Sequence, residues 1–363
     1  MNRKETILII ATSGRLLAQL AKEAGYIPLV IDCFADVDTH FNASCVVEVG
    51  CLGLVEVKQA LRVVEKQYNI DHVIYGSGLE NHLNTLQYLE QMFTVLGNSF
   101  NVFSTIQNKR FFFSILKQYL IPYPEVSFQV PTDNYQWLLK PLAGEGGVGI
   151  RKYTKKIKNT DSCYWQRYIE GSPRSVLFIA DSEEHQIIGF HKQFIAQINE
   201  YEFVFSGLIS QPETNQKLIL QLEKVLDVVV SSFKLKGINS LDYIEREGGC
   251  YILEVNARPS ASLNLYGSEL FKPHLKNCLI NKDLINVNLL KTYQAYKIIF
   301  AEQTISIKEQ LRWPKWAVDI PRSGSIINTG EPICSIIAGG KNEQQVEDLL
   351  LSRQQQLMNL INR

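Results

Sequence analysis

The sequence predicts an α/β domain followed by a larger α+β region, and three stretches of the chain support this fold class. Residues 7–32 form a βαβ unit, in which two apolar runs flank a segment with apolar side chains at helical spacing. A glycine-rich loop lies in the middle of the chain at 144–149. A hairpin is predicted over 238–256, where two β-prone runs flank a Glu-Gly-Gly turn.

The remaining elements divide the chain into four parts, because 363 residues exceed what one hydrophobic core normally serves. Strands at 72–75 and 95–97 and a helix over 82–93 complete a first domain of about one hundred residues, a typical size. Apolar patterns predict the later elements as follows: helix 108–120, strands 137–140, 163–169, 175–181, 187–196 and 203–209, helix 215–233, strand 297–300, a glycine-rich hairpin 324–338 and helix 343–362. The predicted parts are the first domain (1–102), a small lobe with the glycine loop (103–168), a large lobe with the carboxylate hairpin (169–290) and a C-terminal region (291–363).

The composition excludes several classes of partner. Lys plus Arg and Asp plus Glu both total 37, so the neutral chain lacks the basic character of proteins that bind nucleic acid or anionic membranes. The seven cysteines are scattered without a C-x-x-C pair, which argues against a disulfide framework and a zinc site. The apolar run near the N-terminus is too short for a signal peptide, and no run has transmembrane length. We expect a cytoplasmic protein that acts on small molecules and is compatible with a homodimer.

The glycine loop matches the dinucleotide fingerprint G-x-G-x-x-G, but its context does not. A basic segment, 151–158, follows the glycines without a helical stripe, whereas the dinucleotide fold needs a helix there. A Rossmann oxidoreductase is therefore the weakest alternative. Four glycines in six residues exceed what a hairpin needs, and their backbone N–H groups could fold over a triphosphate beside Lys140. The other interpretation is a flexible hairpin tip with solvated lysines.

The predicted hairpin carries a set of polar side chains on one face. Asp242 and Glu254 are each six residues from Gly248, so an antiparallel pairing centred there places them opposite each other. Asn256 shares the face of Glu254, and Arg258 joins it if the strand continues. We expect the other face to hold Leu241, Tyr243, Leu253 and Val255. Opposed carboxylates with hard oxygen ligands suit Mg²⁺ shared with nucleotide phosphates. The alternative is a solvated polar face.

This combination resembles the ATP-grasp enzymes. The resemblance covers residues 1 to about 268, and it is nearest to the predicted ATP-dependent carboligases related to biotin carboxylase. Members of that group have segments similar to SGRLLAQLAKEAGYIPLVIDCFADVDT at 13–39 and YGSGLEN at 75–81. The resemblance implies a pre-ATP-grasp α/β domain followed by two α+β lobes that clasp ATP.

The resemblance implies roles for residues of the nucleotide site. Lys109 would contact the α-phosphate, and Lys140 would bridge the adenine and the phosphates. A flap would close over the β- and γ-phosphates, formed by Gly144, Glu145, Gly146, Gly147, Val148 and Gly149. The adenine-reading hinge would be Gln166, Arg167, Tyr168 and Ile169, with backbone groups of the first and last as readers. The acidic residue that binds the ribose in many family members is missing at its usual place, and Glu170 is its possible substitute.

The resemblance also implies the metal and catalytic residues. Asp242, Glu254 and Asn256 would hold two Mg²⁺ ions, for which Mn²⁺ can substitute. Arg258 would steady the transferred phosphoryl group or a tetrahedral intermediate. Relatives often present a phosphate-binding cation on a strand of the large lobe, which indicates Lys192 beside His191; a solvated strand-edge pair is the alternative.

Polar residues at the carboxyl ends of first-domain strands are candidates for binding the substrate. They are Ser13, Gly14, Arg15, Asp32, Asp36, Ser77, Glu80 and Asn81. Turn chemistry and helix capping explain most of them equally well, but for Arg15 and Glu80 we favour function.

We therefore expect an ATP- and Mg²⁺-dependent ligase that joins a small carboxylate to an amine, such as an amino acid or its conjugate. Relatives of this group are associated with cofactor pathways in which glutamate-type ligations occur. By analogy, we expect the reaction to belong to cofactor biosynthesis. The alternatives are a carboxylase that acts through carboxyphosphate and a nucleotide-binding regulatory protein without turnover.

Overall fold

The structure, a computed structural model, describes residues 3–154, 161–279 and 290–362. Its first domain is a four-stranded parallel sheet in the order β3-β2-β1-β4, with helices on its faces. The elements are β1 Thr6–Ala11, α1 Arg15–Glu23, β2 Ile27–Asp32, α2 Val37–Asn42, β3 Cys45–Glu48, α3 Leu54–Glu65, β4 His72–Tyr75 and α4 Leu83–Met92. Every residue of β1 is buried, which explains its continuous apolar run.

The sequence analysis located β1, α1, β2, β4 and α4 but missed the elements between residues 37 and 65. The signal for α3 was present, because Val57, Ala60, Leu61 and Val64 follow helical spacing and are buried. The strand predicted at 95–97 is reduced to one bridge between Val73 and Val95.

The small lobe contains an antiparallel sheet in the order β5-β8-β6-β7. Its elements are α5 Phe100–Gln107, α6 Lys109–Gln118, β5 Val126–Ser127, β6 Trp137–Pro141, β7 Arg151–Lys152 and β8 Cys163–Arg167. Asn108 caps α6 by accepting a hydrogen bond from the Phe111 N–H at 3.1 Å. The glycine loop connects β6 to β7, so a strand follows it rather than a helix. Of the basic segment at 151–158, residues 155–158 lie outside the described residues.

The large lobe and the C-terminal region share one antiparallel sheet of eight strands, in the order β13-β12-β9-β10-β11-β14-β18-β16. The elements are β9 Ser172–Asp181, β10 His185–Ile198, β11 Tyr201–Ser210, α7 Gln216–Phe233, β12 Lys236–Arg246, β13 Gly249–Asn256, α8 Phe271–Leu279, β14 Tyr293–Phe300, β15 Ile305–Ser306, β16 Ala317–Val318, β17 Ile326–Ile327, β18 Pro332–Gly340 and α9 Glu343–Ile361. The C-terminal strands extend the sheet of the large lobe, so the division predicted at residue 291 does not separate two sheets.

The hairpin predicted over 324–338 is wrong. β17 pairs with β15, whereas β18 pairs with β14 and β16. Two backbone hydrogen bonds anchor the turn before β18 to the end of β14: Gly330 N–H to the Ala301 carbonyl at 2.7 Å, and Ala301 N–H to the Glu331 carbonyl at 2.9 Å. These bonds direct β18 onto β14 instead of back onto β17.

The two faces of the large sheet are covered by different elements. Leu222, Leu226 and Val230 of α7 pack in the same core as Phe178 and Leu241 of the sheet. The other face contributes residues such as Leu177 to a core shared with α1 and α8. In the part of the chain that the structure describes, no helix has the length and apolarity needed to cross a membrane.

Candidate functional site

The β12–β13 hairpin places Asp242 directly opposite Glu254, as expected from the sequence, although the turn is Glu247-Gly248 and the pairing depends on a bulge. The prediction for the core face is wrong at one position. The register shifts after Asp242, so that Tyr243 pairs with Ile252 and Leu253 is the extra residue of a β-bulge. Ile252 is therefore fully buried in place of Leu253, which is only half-buried.

Two lysines of the small lobe converge on Glu254. Lys109 begins α6, and its Nζ donates a hydrogen bond to Glu254 Oε2 at 2.9 Å. Lys140, at the end of β6, is buried, and its Nζ donates to Gln166 Oε1 at 3.2 Å. Burial opposes the charge of Glu254, but Lys109 and Lys140 outweigh burial and lower the pKa of this carboxyl to about 2. Burial lowers the pKa of Lys140, against the attraction of Glu254 and Asp242.

Asp242 is held by two amide side chains. Gln193 Nε2 donates to Oδ1 at 3.0 Å, and Asn256 Nδ2 donates to Oδ2 at 3.1 Å. Burial and the neighbouring Glu254 raise the pKa of Asp242 to about 7. The two opposed carboxyls thus have pKa values shifted in opposite directions, a difference that a cation between them would remove. The sequence analysis missed Gln193, which lies beside the predicted Lys192 on β10.

The structure places Lys192, the predicted catalytic lysine, away from the carboxylate pair. Consecutive residues of a strand point to opposite faces, so Lys192 lies on the face away from Asp242 while Gln193 faces it. Lys192 Nζ contacts Glu343 at 2.6 Å and Glu347 at 3.1 Å, both in α9. Its neighbour His191 is fully buried with Nε2 2.9 Å from the Tyr266 hydroxyl, and burial lowers the pKa of this imidazole to about 3.

Arg258 joins the carboxylate hairpin to the first domain. Its Nε donates to Oε1 of Glu80, whose Oε2 accepts from the Gly78 N–H at 2.8 Å. Its Nη2 lies 3.8 Å from Oε2 of Glu145. Burial would lower the pKa of Arg258, but Glu80 and Glu145 outweigh it, so the guanidinium stays charged. Glu80 therefore orients Arg258 at the point where three parts of the chain meet.

The glycine flap, residues 144–149, lies closed against the large sheet and the first domain. Its four glycines all have positive φ angles, which only glycine adopts freely. The Phe205 N–H donates to the Gly146 carbonyl at 2.9 Å, and Thr12 Oγ1 donates to Glu145 Oε1 at 2.9 Å. The Glu145 side chain thus contacts the first domain and Arg258 instead of the lysines, while Val148 is exposed. Burial and Glu80 raise the pKa of Glu145, against the charge of Arg258.

Two of the predicted substrate residues hold the fold together. Asp32 is fully buried and accepts from the Gly14 N–H at 2.9 Å and the Ala35 N–H at 2.8 Å. Arg15 is buried, with Nε 2.9 Å from Asp319 and Nη2 2.6 Å from Asn264. These contacts favour structural roles for Asp32 and Arg15, because their polar groups are used by the turn after β1 and by the C-terminal region.

The other first-domain candidates differ in exposure. Ser13 is half-buried, and the Ser77 carbonyl accepts from the Thr12 N–H at 2.8 Å. Asn81 is exposed. Asp36 is buried, and burial together with Asp319 and Asp38 raises its pKa to about 8. Of this group, Glu80 alone contacts a residue of the predicted catalytic set.

The side chains of the predicted hinge differ in direction and in exposure. Gln166 faces Lys140, but Arg167 points away, with its guanidinium carbon 3.7 Å from the centre of the Tyr135 ring. The Tyr168 ring lies 6.2 Å from that of Phe203. Ile169 is half-buried and Glu170 is exposed.

The carboxylate pair fits Mg²⁺ shared with a nucleotide. No three His, Cys, Asp or Glu side chains of the described residues form a group that could hold a metal. Asp242 and Glu254 nevertheless supply two carboxylates, and Asn256 can add its carboxamide oxygen. Mg²⁺ is commonly bound by one or two carboxylates together with substrate phosphates, and this donor set matches that pattern.

Comparisons with known proteins identify the fold. Residues 106–262 match the sequence model of a family described as the ATP-grasp domain. An uncharacterised protein of Methanocaldococcus jannaschii is 26% identical over 258 residues, which cover 67% of this chain and 63% of that protein. The match thus spans less than two thirds of that relative's length.

Solved structures share the architecture over nearly the whole chain. Biotin carboxylase from Campylobacter jejuni, solved as an ATP complex, has a TM-score of 0.73 at 14% identity and covers 95% of this chain and 91% of its own. An L-amino acid ligase from Bacillus licheniformis has a TM-score of 0.72 at 13% identity and covers 97% of this chain and 98% of its own. At these identities the likeness shows the fold alone. The chain thus has the ATP-grasp fold, and residues 106–262 are the part that matches the ATP-grasp domain.

Proposed function

We propose that this protein is an ATP- and Mg²⁺-dependent ligase that activates a carboxylate as an acyl phosphate and joins it to an amine. The observation that carries the proposal is one cluster, in which two lysines and an arginine surround an opposed carboxylate pair beneath a glycine flap. Such an arrangement neutralises the charge of a polyphosphate, and phosphoryl transfer at this site requires no protein nucleophile.

The cations of the small lobe are the phosphate-binding groups. The Lys140 side chain is buried and that of Lys109 is only 10% exposed, so the low solvent content around them strengthens their attraction for phosphate oxygens. Asp242, Glu254 and Asn256 would hold Mg²⁺ next to them. When bound there, the ion supplies neutralisation of the phosphate charge during transfer.

The proposed reaction has two steps. An oxygen of the substrate carboxylate forms a bond to the γ-phosphorus while the bond from that phosphorus to ADP breaks, which gives an acyl phosphate. The amine nitrogen then bonds to the acyl carbon, inorganic phosphate leaves, and the nitrogen loses a proton. Arg258, fixed by Glu80, supplies positive charge for the oxyanion of both steps.

The flap controls access to Arg258. Glu145 belongs to the flap, so opening the flap removes a carboxylate from the guanidinium and leaves room for a substrate carboxylate. Closure over the bound nucleotide excludes water, which would otherwise hydrolyse the acyl phosphate.

The test is an ADP-release assay with Mg-ATP, in which pools of amino acids and small carboxylates are compared with bicarbonate alone. We expect ADP release to require both a carboxylate and an amine, and Glu254→Gln to lower the rate by about 100-fold or more. Glu247→Gln, in the exposed turn of the same hairpin, is the matched control and should retain full activity.

The other outcomes separate the competing functions. ADP release with bicarbonate alone would indicate a carboxylase that acts through carboxyphosphate. Binding of ATP without turnover in any pool would indicate a regulatory nucleotide-binding protein. Full activity of Glu254→Gln would remove the site assignment itself.

A further inference from the structure

Tyr164 is a buried residue of the cluster that the mechanism above does not use. It lies in β8 and is fully buried. Its ring centre is 6.1 Å from that of Phe113 and 5.9 Å from that of Phe128, so aromatic packing fixes the orientation of the side chain. Among the described residues, its hydroxyl has no hydrogen-bond partner. A buried hydroxyl without a partner is unfavourable, which points to a group that binds there.

The surroundings of this hydroxyl identify the kind of group. Tyr164 pairs with Lys140 in the small sheet, and Lys140 Nζ lies 6.0 Å from its ring centre. The charges of Lys109 and Glu254 both act on the hydroxyl. Burial raises the pKa of Tyr164, against the charge of Lys109, so the group keeps its proton and is a donor. A neutral donor beside two ammonium groups suits an anionic oxygen.

A second donor without a partner lies on the same face of β8. Gln166 is two residues further along the strand and therefore points to the same side as Tyr164. Its Oε1 accepts from Lys140, while its Nε2 is buried without a partner in the described part of the chain. Lys140 thus lies between two donors, one towards Glu254 and one towards the hinge, which fits an elongated ligand with an anionic end near Tyr164.

We propose that the Tyr164 hydroxyl binds a phosphate oxygen of the nucleotide that Lys109 and Lys140 hold. The proposal rests on the proposed function to the extent that it requires a nucleotide at this site. It adds a phosphate-positioning residue on the strand that leads into the hinge, where the resemblance implies only backbone contacts to adenine.

The experiment compares Tyr164→Phe with Tyr123→Phe. Tyr123 packs on the same Phe113 ring at 5.2 Å, and it is the matched control for loss of a hydroxyl from this aromatic cluster. Adenosine, ADP and the non-hydrolysable analogue AMP-PNP are titrated with Mg²⁺ into each protein, and thermal unfolding is measured without ligand. We expect Tyr164→Phe to bind AMP-PNP about tenfold more weakly, as for loss of a hydrogen bond to a charged group. Adenosine binding should not change, and the ligand-free protein should melt at the same temperature or higher.

Three results would overturn the proposal. Unchanged AMP-PNP affinity would show that the hydroxyl does not bind phosphate. An equal loss for adenosine would place its role at the base or in the shape of the pocket. A lower melting temperature of the ligand-free variant would show that the hydroxyl stabilises the fold instead. Failure of the proposed function is distinct, because wild-type protein would then bind AMP-PNP and yet form no ADP with any carboxylate and amine.

Discussion

Substitution of Gly147 by alanine tests whether the flap must close against the large sheet. A Cβ added at Gly147 would lie 2.0 Å from the Phe203 carbonyl oxygen, a backbone atom of β11. At Gly146 a Cβ would have nothing within 4 Å. Both glycines have positive φ, 62° and 74°, so either alanine suffers backbone strain of about 1 kcal/mol. Gly146→Ala is therefore the matched control, since it has the strain without the clash.

The magnitude follows from the movement that the clash requires. The flap must withdraw by about 1 Å, which lengthens the hydrogen bond from Phe205 to Gly146 from 2.9 Å to about 3.9 Å and breaks it. Loss of this bond adds roughly 1–2 kcal/mol to the strain. Gly146→Ala should thus weaken Mg–AMP-PNP binding about fivefold, and Gly147→Ala about 50-fold.

Isothermal titration calorimetry measures both affinities, and thermal unfolding checks the fold. We expect the melting temperatures of both variants to match that of the wild type, because the flap lies outside the apolar clusters. Equal affinities for the two variants would refute the closed flap as the nucleotide-binding state.

Three further predictions concern residues outside the nucleotide site. Arg15→Met should lower the free energy of unfolding by about 3 kcal/mol in urea denaturation, since it leaves Asp319 buried without its partner. The double variant with Asp319→Asn should recover part of this stability. A loss below about 1 kcal/mol for Arg15→Met would contradict a structural ion pair. Lys192→Met should leave turnover within twofold of the wild type. It should destabilise the protein by at most about 1 kcal/mol, because the contacts of Lys192 to α9 are partly exposed. Loss of turnover would support a catalytic role for Lys192. His274 lies in α8, is fully buried, and accepts a hydrogen bond at Nδ1 from the Ile238 N–H at 2.9 Å. Burial lowers the pKa of this imidazole to about 4, so the unfolded chain binds more protons between pH 4 and 6.5, and stability falls as the pH falls through this window. Between pH 6.5 and pH 4, the free energy of unfolding of His274→Asn in urea should decrease by about 3 kcal/mol less than that of the wild type. Parallel pH profiles of the two proteins would contradict this prediction.

The carboxylate site was the part most accessible from sequence. The pairing of Asp242 with Glu254 was predicted, but for a reason that does not hold. The turn is Glu247-Gly248, since Arg246 pairs with Gly249, and the register set by this turn alone would place Asp242 opposite Leu253. The bulge at Leu253 was not predictable in this way. The extra residue sets Asp242 opposite Glu254 and reverses the alternation of the strand beyond it, and the apolar run Tyr251-Ile252-Leu253 hides that reversal in the sequence.

Contacts between segments that are distant in the chain could not be predicted from the sequence. Arg15 meets Asp319 across 304 residues, so the sequence around Arg15 shows a charged turn residue and nothing of its partner. Lys192 and Gln193 differ by one position, and the choice of face depends on how β10 pairs with β9. Tyr164 resembles any aromatic residue of a buried strand. Its position beside two lysines becomes visible only when β6 and β8 are paired.

The central claim is that Lys109, Lys140, Asp242 and Glu254 form the Mg-nucleotide site. The most direct measurement is the titration of Mg–AMP-PNP into the wild type, Glu254→Gln and Glu247→Gln, repeated with EDTA in place of Mg²⁺. The account predicts equal binding by the wild type and Glu247→Gln, binding at least tenfold weaker by Glu254→Gln, and a smaller difference between the three proteins without Mg²⁺. Equal binding by all three proteins in the presence of Mg²⁺ would contradict it.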